Sequence, residues 1–178
     1  PSYEKSKQKA EEAKAAWEET ARAIEENTSK IEELRAELEE LNSLENKSIT
    51  DENDISRLER EIALLEQRNQ VLEDNEKNLK KEAEQTVKDA YSLLAYGDIS
   101  DTELSGAKDV EKWMEKNGED LGLNNIQDLV RYAISNWNKV DQTTGETLIP
   151  DSLRTFVTEW LMEANELTDG LEYGDDPL

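Results

Sequence analysis

Apolar residues recur every three or four positions through the first half of the chain, in two stripes separated by a short polar stretch. The stripes span residues 3–41 and 55–93, and neither contains Gly or Pro. A 3-4 repeat places its members on one side of an α-helix, where positions a and d of each heptad face a partner helix. The pattern therefore predicts two long helices, one over about 2–44 and one over about 50–95.

The two stripes mirror each other, because the residue numbers of facing apolar positions sum to 96. Two helices joined by a loop of a few residues pack antiparallel. The sequence thus predicts an all-α fold whose first domain, residues 1–96, is an antiparallel coiled-coil hairpin, with Thr50 or Asp51 capping its second helix. The facing pairs include Leu41 with Ile55, Leu38 with Leu58, Leu34 with Ile62, Ile31 with Leu65 and Ile24 with Leu72.

Two asparagines, Asn27 and Asn69, occupy facing positions within this otherwise apolar seam. A buried polar pair costs stability, but it favours one register because a slipped pairing leaves each amide without a partner. We interpret Asn27 and Asn69 as the register-setting residues of the hairpin. Trp17 also lies in the seam, where we expect it to pack against Leu79 rather than to bind a ligand.

The pattern changes after Gly97, where shorter apolar stripes alternate with turn residues. Residues 97–178 are expected to form a compact acidic domain of three to four helices that folds alone, because its three main helices each carry an apolar face and one tryptophan. A loosely held acidic tail is expected at its end. The predicted helices cover about 107–117 with Gly118 as the terminating residue, about 125–140, and about 151–170.

Composition limits the chemistry available to the chain. Its 178 residues hold 44 acids and 21 Lys or Arg, a formal net charge of −23, and neither Cys nor His. Without thiol or imidazole side chains, the usual nucleophile–base pairs and the commonest zinc and haem ligands are missing. No glycine-rich phosphate-binding loop occurs either. We therefore expect a non-enzymatic protein with no catalytic residue, no cofactor and no metal site.

The acidic charge also bears on the choice of partner. A charge of −10 falls in residues 1–96 and −13 in residues 97–178. Because phosphates and anionic lipids are bound by Lys and Arg, direct contact with nucleic acid or membranes is disfavoured. No apolar run approaches the roughly 20 residues of a membrane span. We expect a cytoplasmic protein, or one within a viral particle, whose partner is a protein (basic, if charge selects it) or a second copy of the chain.

Three large apolar residues lie outside the a and d positions. Leu64 and Val71 are one heptad apart at position c of the second helix, and Leu44 lies at position g near the end of the first. Large apolar side chains on an otherwise charged helix face indicate contact with another molecule, although single exposed ones are common. We interpret Leu64, Val71 and Leu44 as partner-binding residues.

These features favour a structural or adaptor protein that contributes a coiled coil and a helical domain to a macromolecular assembly, with a viral or mobile-element assembly as one setting. The alternative is an acidic inhibitor that imitates nucleic acid and blocks a DNA- or RNA-binding protein, since negative charge along helices can reproduce an array of phosphates. Salt separates the two functions. Binding by a mimic collapses at high ionic strength, whereas an apolar contact persists.

The register leads to a direct prediction. Leu34→Cys combined with Ile62→Cys is expected to give a disulfide within one chain under mild oxidation, because facing a and d positions lie within disulfide reach. Electrophoresis without reductant and mass spectrometry of the linked peptides provide the measurement. Leu34→Cys with Leu72→Cys is the control, since ten residues of helix displace the second thiol by about 15 Å. Crosslinks formed only between chains would contradict the single-chain hairpin.

Overall fold

The computed structural model of the chain describes residues 2–171. This range is all-α, and the predicted fold class, a long helical hairpin followed by a small helical region, is confirmed. One 3₁₀ turn at Ile99–Thr102 and one isolated antiparallel bridge, between Val140 and Thr147, complete its regular structure. The predicted acidic tail lies outside the described residues, apart from Leu171. The helices are α1 (Ser2–Asn42), α2 (Ile49–Tyr96), α3 (Ala107–Leu121), α4 (Ile126–Ser135) and α5 (Asp151–Thr168).

Helix α2 begins one residue earlier than expected, and Ser48 rather than Thr50 or Asp51 caps it. The Asp51 N–H donates a hydrogen bond to the Ser48 hydroxyl (3.0 Å), and the Ser48 N–H donates one to the Asp51 carboxylate (2.9 Å). This reciprocal pair is a capping box, which satisfies two N–H groups that a helix start leaves without helical partners. The hydrogen bonds from Ser48 hold the pKa of Asp51 below its usual range.

Helix α3 continues past its predicted end, because Gly118 lies within it and Gly122 terminates it. Gly122 has the left-handed φ of 69°. The Leu123 N–H donates to the carbonyl of Gly118 (2.8 Å) and the Gly122 N–H donates to that of Glu119 (3.2 Å). These two bonds form a Schellman motif. The sequence contained both glycines, and only the backbone conformation distinguishes the one that ends the helix.

Helix α4 is capped by Asn125, and it ends at Ser135 rather than near residue 140. The Arg154 side chain contacts the loop that follows α4. The Arg154 guanidinium donates hydrogen bonds to the carbonyls of Ile149 (3.0 Å) and Trp137, and it lies 4.6 Å from the centre of the Trp137 ring. Because these contacts satisfy two loop carbonyls, the chain leaves the helix without unpaired backbone groups at these positions.

Packing divides the chain into two compact units, and the division does not fall at the predicted domain boundary between residues 96 and 97. The hairpin unit comprises Glu12–Ala83, and the helical unit comprises Pro1–Glu11 together with Glu84–Leu178. The core of the hairpin unit is formed by the predicted seam residues near the loop. The buried members are Ile31, Leu34, Leu58 and Ile62, with Leu38, Leu41 and Leu65 packed against them.

The helical unit includes residues that sequence reasoning assigned to the hairpin. Tyr3 of α1 and Leu94 of α2 are fully buried in the same core as Trp160 of α5. The Trp160 indole N–H donates to the Leu94 carbonyl (2.9 Å), and the Trp160 ring meets Tyr91 edge-on at 6.2 Å. Residues 97–178 by themselves lack this part of the core, and their independent folding stays a prediction.

A polar cluster ties the start of α1 to α5 within the helical unit. The Tyr3 hydroxyl donates to Glu163 Oε1 (2.8 Å), and Lys7 Nζ lies 2.6 Å from the same oxygen. Burial and then the hydrogen bond to Glu163 raise the pKa of Tyr3. For Lys7, burial acts to lower the pKa, but the hydrogen bond and negative charge of Glu163 outweigh it, and the pKa of Lys7 is raised.

The raised pKa values predict a loss of stability in alkali. A raised folded-state pKa contributes stability below the unfolded value, about 10 for Tyr, and that stability is lost as the pH rises through the folded value. Between about pH 9 and pH 11, the free energy of unfolding, measured by urea denaturation, should therefore fall more steeply for the parent than for Tyr3→Phe. At neutral pH, Tyr3→Phe should be less stable by about 2 kcal/mol, because a bond to a carboxylate is lost.

The matched control is Tyr132→Phe, since Tyr132 donates no hydrogen bond to Glu163. This variant should keep the steep parental decline. Parallel pH profiles for the parent and Tyr3→Phe would contradict the role assigned to the Tyr3 hydroxyl.

Candidate protein-binding face

The three apolar residues predicted to lie outside the seam are exposed. Leu64, Val71 and Leu44 have exposed fractions of 48%, 69% and 43%, whereas the seam residues Leu58 and Ile62 of α2 have 1% and 7%. The 3-4 repeat turns the seam positions toward α1 and leaves the other faces of α2 outward. Their exposure agrees with the sequence analysis, and their role in partner binding remains a prediction.

Leu64 and Val71 border an open groove of about 680 Å³ in the hairpin unit, which we call the Leu64–Val71 groove. Residues 64, 67, 68 and 71 follow the spacing i, i+3, i+4, i+7, which places them on one side of α2. Arg68 is the single charged residue of the lining, and no acid contributes, in a chain where acids outnumber bases by 44 to 21. The lining residues are Asn27, Leu64, Gln67, Arg68, Gln70, Val71 and Leu72.

Leu44 borders a second depression, of about 540 Å³, nearer the loop between α1 and α2. Arg57 contributes to this depression, and it precedes Leu64 by seven residues and therefore lies on the same side of α2. Leu44, Leu64 and Val71 thus follow one side of the hairpin unit, which we call the Leu44–Val71 side. The second depression is lined by Glu37, Glu40, Leu41, Ser43, Leu44, Asp54, Arg57 and Leu58.

The two asparagines of the seam do not hydrogen bond to each other in the described part of the chain. Asn69 is 7% exposed, and its Nδ2 donates to the Thr28 hydroxyl (3.2 Å) rather than to Asn27. Its Oδ1 is buried and has no hydrogen-bond partner among the described residues. Asn27 is half-buried and lines the Leu64–Val71 groove. One amide is therefore enclosed in the seam while the other contributes to the groove surface.

Trp17 makes polar contacts that the sequence pattern did not predict. Its indole N–H donates to the Glu76 carboxylate (2.9 Å), and Lys80 Nζ lies 5.9 Å from the centre of its ring. Glu76 occupies a seam position, where an unpaired carboxylate is costly to bury. The hydrogen bond from Trp17 offsets part of that cost, so these residues form a structural layer of the hairpin unit.

Sequence reasoning missed two features of the hairpin unit's surface. Arg68 and Gln67 fill the interval between Leu64 and Val71, and the helical spacing of these four residues was available in the sequence. Ile49 is 79% exposed at the first position of α2. It precedes the predicted start of this helix near residue 50, where a lone apolar residue gives no periodic signal.

No group of three or more His, Cys, Asp or Glu among residues 2–171 is placed to bind a metal ion. The groups with clearly shifted pKa values in this range, Tyr3, Lys7 and Asp51, do not line the groove. No helix in this part of the chain combines the length and the apolar character that crossing a membrane requires.

Comparison with known protein families, with curated proteins and with solved structures finds no match to this chain. We therefore infer the function from the residues and the geometry of the hairpin unit.

The unpaired Asn69 carbonyl predicts an unusual gain of stability. Asn69→Leu should raise the free energy of unfolding by about 1 kcal/mol, because it removes a buried acceptor that has no donor and leaves Thr28, which is exposed, to bond with water. Asn27→Leu is the matched control and should change stability much less, since Asn27 is only half-buried. Urea denaturation of the two single variants and the double variant provides the measurement.

If the two amides act separately, their effects should add within about 0.5 kcal/mol. A large coupling energy, with either single variant less stable than the double variant, would show that the amides support each other across the seam.

Proposed function

We propose that this chain is a non-enzymatic structural or adaptor protein that binds a protein partner through the Leu44–Val71 side of its hairpin unit. The observation that carries the proposal is the Leu64–Val71 groove, where two large apolar side chains are exposed above a lining without acids. Apolar surface of this kind gains free energy when a partner removes it from water.

The position of these residues argues that they serve binding rather than folding. Position c of a heptad lies outside the contact between the two arms, so neither Leu64 nor Val71 is needed for the seam. Covering each residue contributes about 25 cal/mol for every Å² of apolar surface removed from water. A groove between two helices is also a common place for an amphipathic helix to dock.

The second candidate is the acidic inhibitor that imitates nucleic acid. The observation in its favour is the net charge of −23, with −13 in residues 97–178. Such a protein would bind a basic surface mainly through charge, and its affinity would fall steeply with salt. It would have no use for exposed leucine and valine, so the two candidates differ in which residues they require.

The test is capture of the natural partner by a variant with Leu64→Lys and Val71→Glu, which keeps the net charge. Capture from the source extract should fall at least about tenfold, while helicity and melting temperature stay near the parental values, because position c does not contribute to the seam. The control is Leu121→Lys with Met162→Glu, which alters two exposed apolar residues of the helical unit and should leave capture intact.

Repeating the capture at about 50 mM and about 500 mM salt distinguishes the candidates. Persistent capture that requires Leu64 and Val71 supports the adaptor. Capture that disappears at high salt and is unaffected by the changes at Leu64 and Val71 supports the nucleic-acid mimic and contradicts our proposal.

A further inference from the structure

A repeat of paired glutamates runs along α1 and is independent of the apolar seam. A Glu-Glu pair occurs every seven residues, and all ten side chains are exposed. Because seven residues complete two turns of a coiled-coil helix, the pairs form two parallel rows. Successive pairs are about 10.5 Å apart along the helix axis. The pairs are Glu11-Glu12, Glu18-Glu19, Glu25-Glu26, Glu32-Glu33 and Glu39-Glu40.

The second member of each pair belongs to the same side of the hairpin unit as the groove. Glu40 lines the depression that contains Leu44, and Glu26 and Glu33 precede Glu40 by two heptads and one heptad. Asn27, the α1 residue of the Leu64–Val71 groove, directly follows Glu26. A row of carboxylates therefore follows the α1 edge of the groove, which we call the glutamate edge.

The α2 edge of the same side has a different character. Leu64 and Val71 supply the apolar surface, and the cations Arg57 and Arg68 line the two depressions. Arg57 lies 3.7 Å from the Asp54 carboxylate, whereas Arg68 is the single charged residue that lines the groove. A ligand that lies in the groove thus meets apolar surface over α2 and a row of carboxylates over α1. One cation interrupts that row, since Lys30 Nζ lies 3.9 Å from Glu33 Oε2. This asymmetry restricts the chemistry of the occupant.

A second copy of the chain fits this surface poorly. Two copies would bring net charges of −23 each close together. The exposed apolar surface is also small, because a stable interface buries roughly 800 Å² on each partner. A groove beside two paired helices suits a third helix with apolar residues at intervals of seven.

From the apolar groove and the charges along its edges, we infer that the Leu44–Val71 side docks a basic amphipathic helix of another protein. Its apolar residues lie over Leu64 and Val71, and its Lys or Arg side chains face Glu26 and Glu33. This inference rests on the proposed adaptor function and names the class of partner. Lys and Arg are suited to the position, because their long apolar stems cover the groove while their charged ends reach the carboxylates.

The probe is a synthetic helix of three heptads with Leu at a and d, Lys at e and g, and Ala elsewhere. Lysine at e and g prevents the peptide from pairing with itself, since like charges face each other. A second peptide with Glu in place of Lys tests the sign of the charge. Fluorescence anisotropy with the full chain at about 100 mM salt measures affinity, and circular dichroism measures helix formation on binding.

Three charge-matched or volume-matched variants locate the binding. Leu64→Gln with Val71→Gln leaves the charge unchanged and should weaken binding of the lysine peptide at least about tenfold. Glu26→Gln with Glu33→Gln should weaken it about three- to tenfold. The control, Glu25→Gln with Glu32→Gln, removes the same charge one position away on α1, outside the glutamate edge, and should weaken it less than about twofold.

The inference is supported if the lysine peptide binds, the glutamate peptide does not, and the three variants rank in this order. It is overturned if both glutamate variants weaken binding equally and the Leu64 and Val71 change has no effect, because binding is then diffuse attraction to an acidic chain. It is also overturned if sedimentation shows the chain alone forming a dimer that the Leu64 and Val71 change dissociates, since a second copy then occupies the groove.

Failure of this inference is distinguishable from failure of the adaptor function. The two outcomes differ in what depends on Leu64 and Val71. If capture of the natural partner requires these residues but binding of the lysine peptide does not, the adaptor function stands and the inference of a basic helix is wrong. If neither depends on these residues, both proposals fail.

Discussion

The structure depends on one constraint, which is that neither long helix can bury its own apolar stripe. An isolated amphipathic helix in water gains little from propensity and depends on packing for its stability. Ile31 and Leu34 of α1 are buried only because Leu58 and Ile62 of α2 cover them. A seam of this period also determines which residues face outward, so the location of every surface feature of the hairpin unit follows from the register.

The seam is apolar near the loop and becomes polar farther from it, and the groove lies beside the polar part. Asn69 is enclosed with an unpaired carbonyl, and Asn27 reaches the groove surface instead of completing an amide pair. Trp17 supplies a hydrogen bond to a seam glutamate. Such layers cost stability, and their role in setting the register stays a prediction. A defined register is what a protein requires if it presents exposed side chains at set positions along a helix.

The charge distribution gives the hairpin unit two unlike edges on one side. A protein with so many acids is commonly explained by solubility alone, because net charge keeps chains apart. Solubility does not require glutamate pairs at a strict interval of seven residues, nor does it require an acid-free groove beside them. The combination of a carboxylate row, exposed apolar residues and a groove between helices is chemically selective. Under our proposal, the ligand is apolar along one line and cationic along the next.

The sequence by itself determined the helical class, the pairing of the seam near the loop and the exposure of Leu64 and Val71, because each follows from a periodicity that repeats over many turns. Tertiary structure decided the features that depend on a single position or a distant contact. Ser48 and Gly122 were selected from neighbouring candidates by backbone conformation. Tyr3 belongs to the helical unit, where its hydroxyl donates a hydrogen bond to Glu163, a residue 160 positions away in the chain. No local pattern records such a contact, since its free energy arises only once both helices are in place.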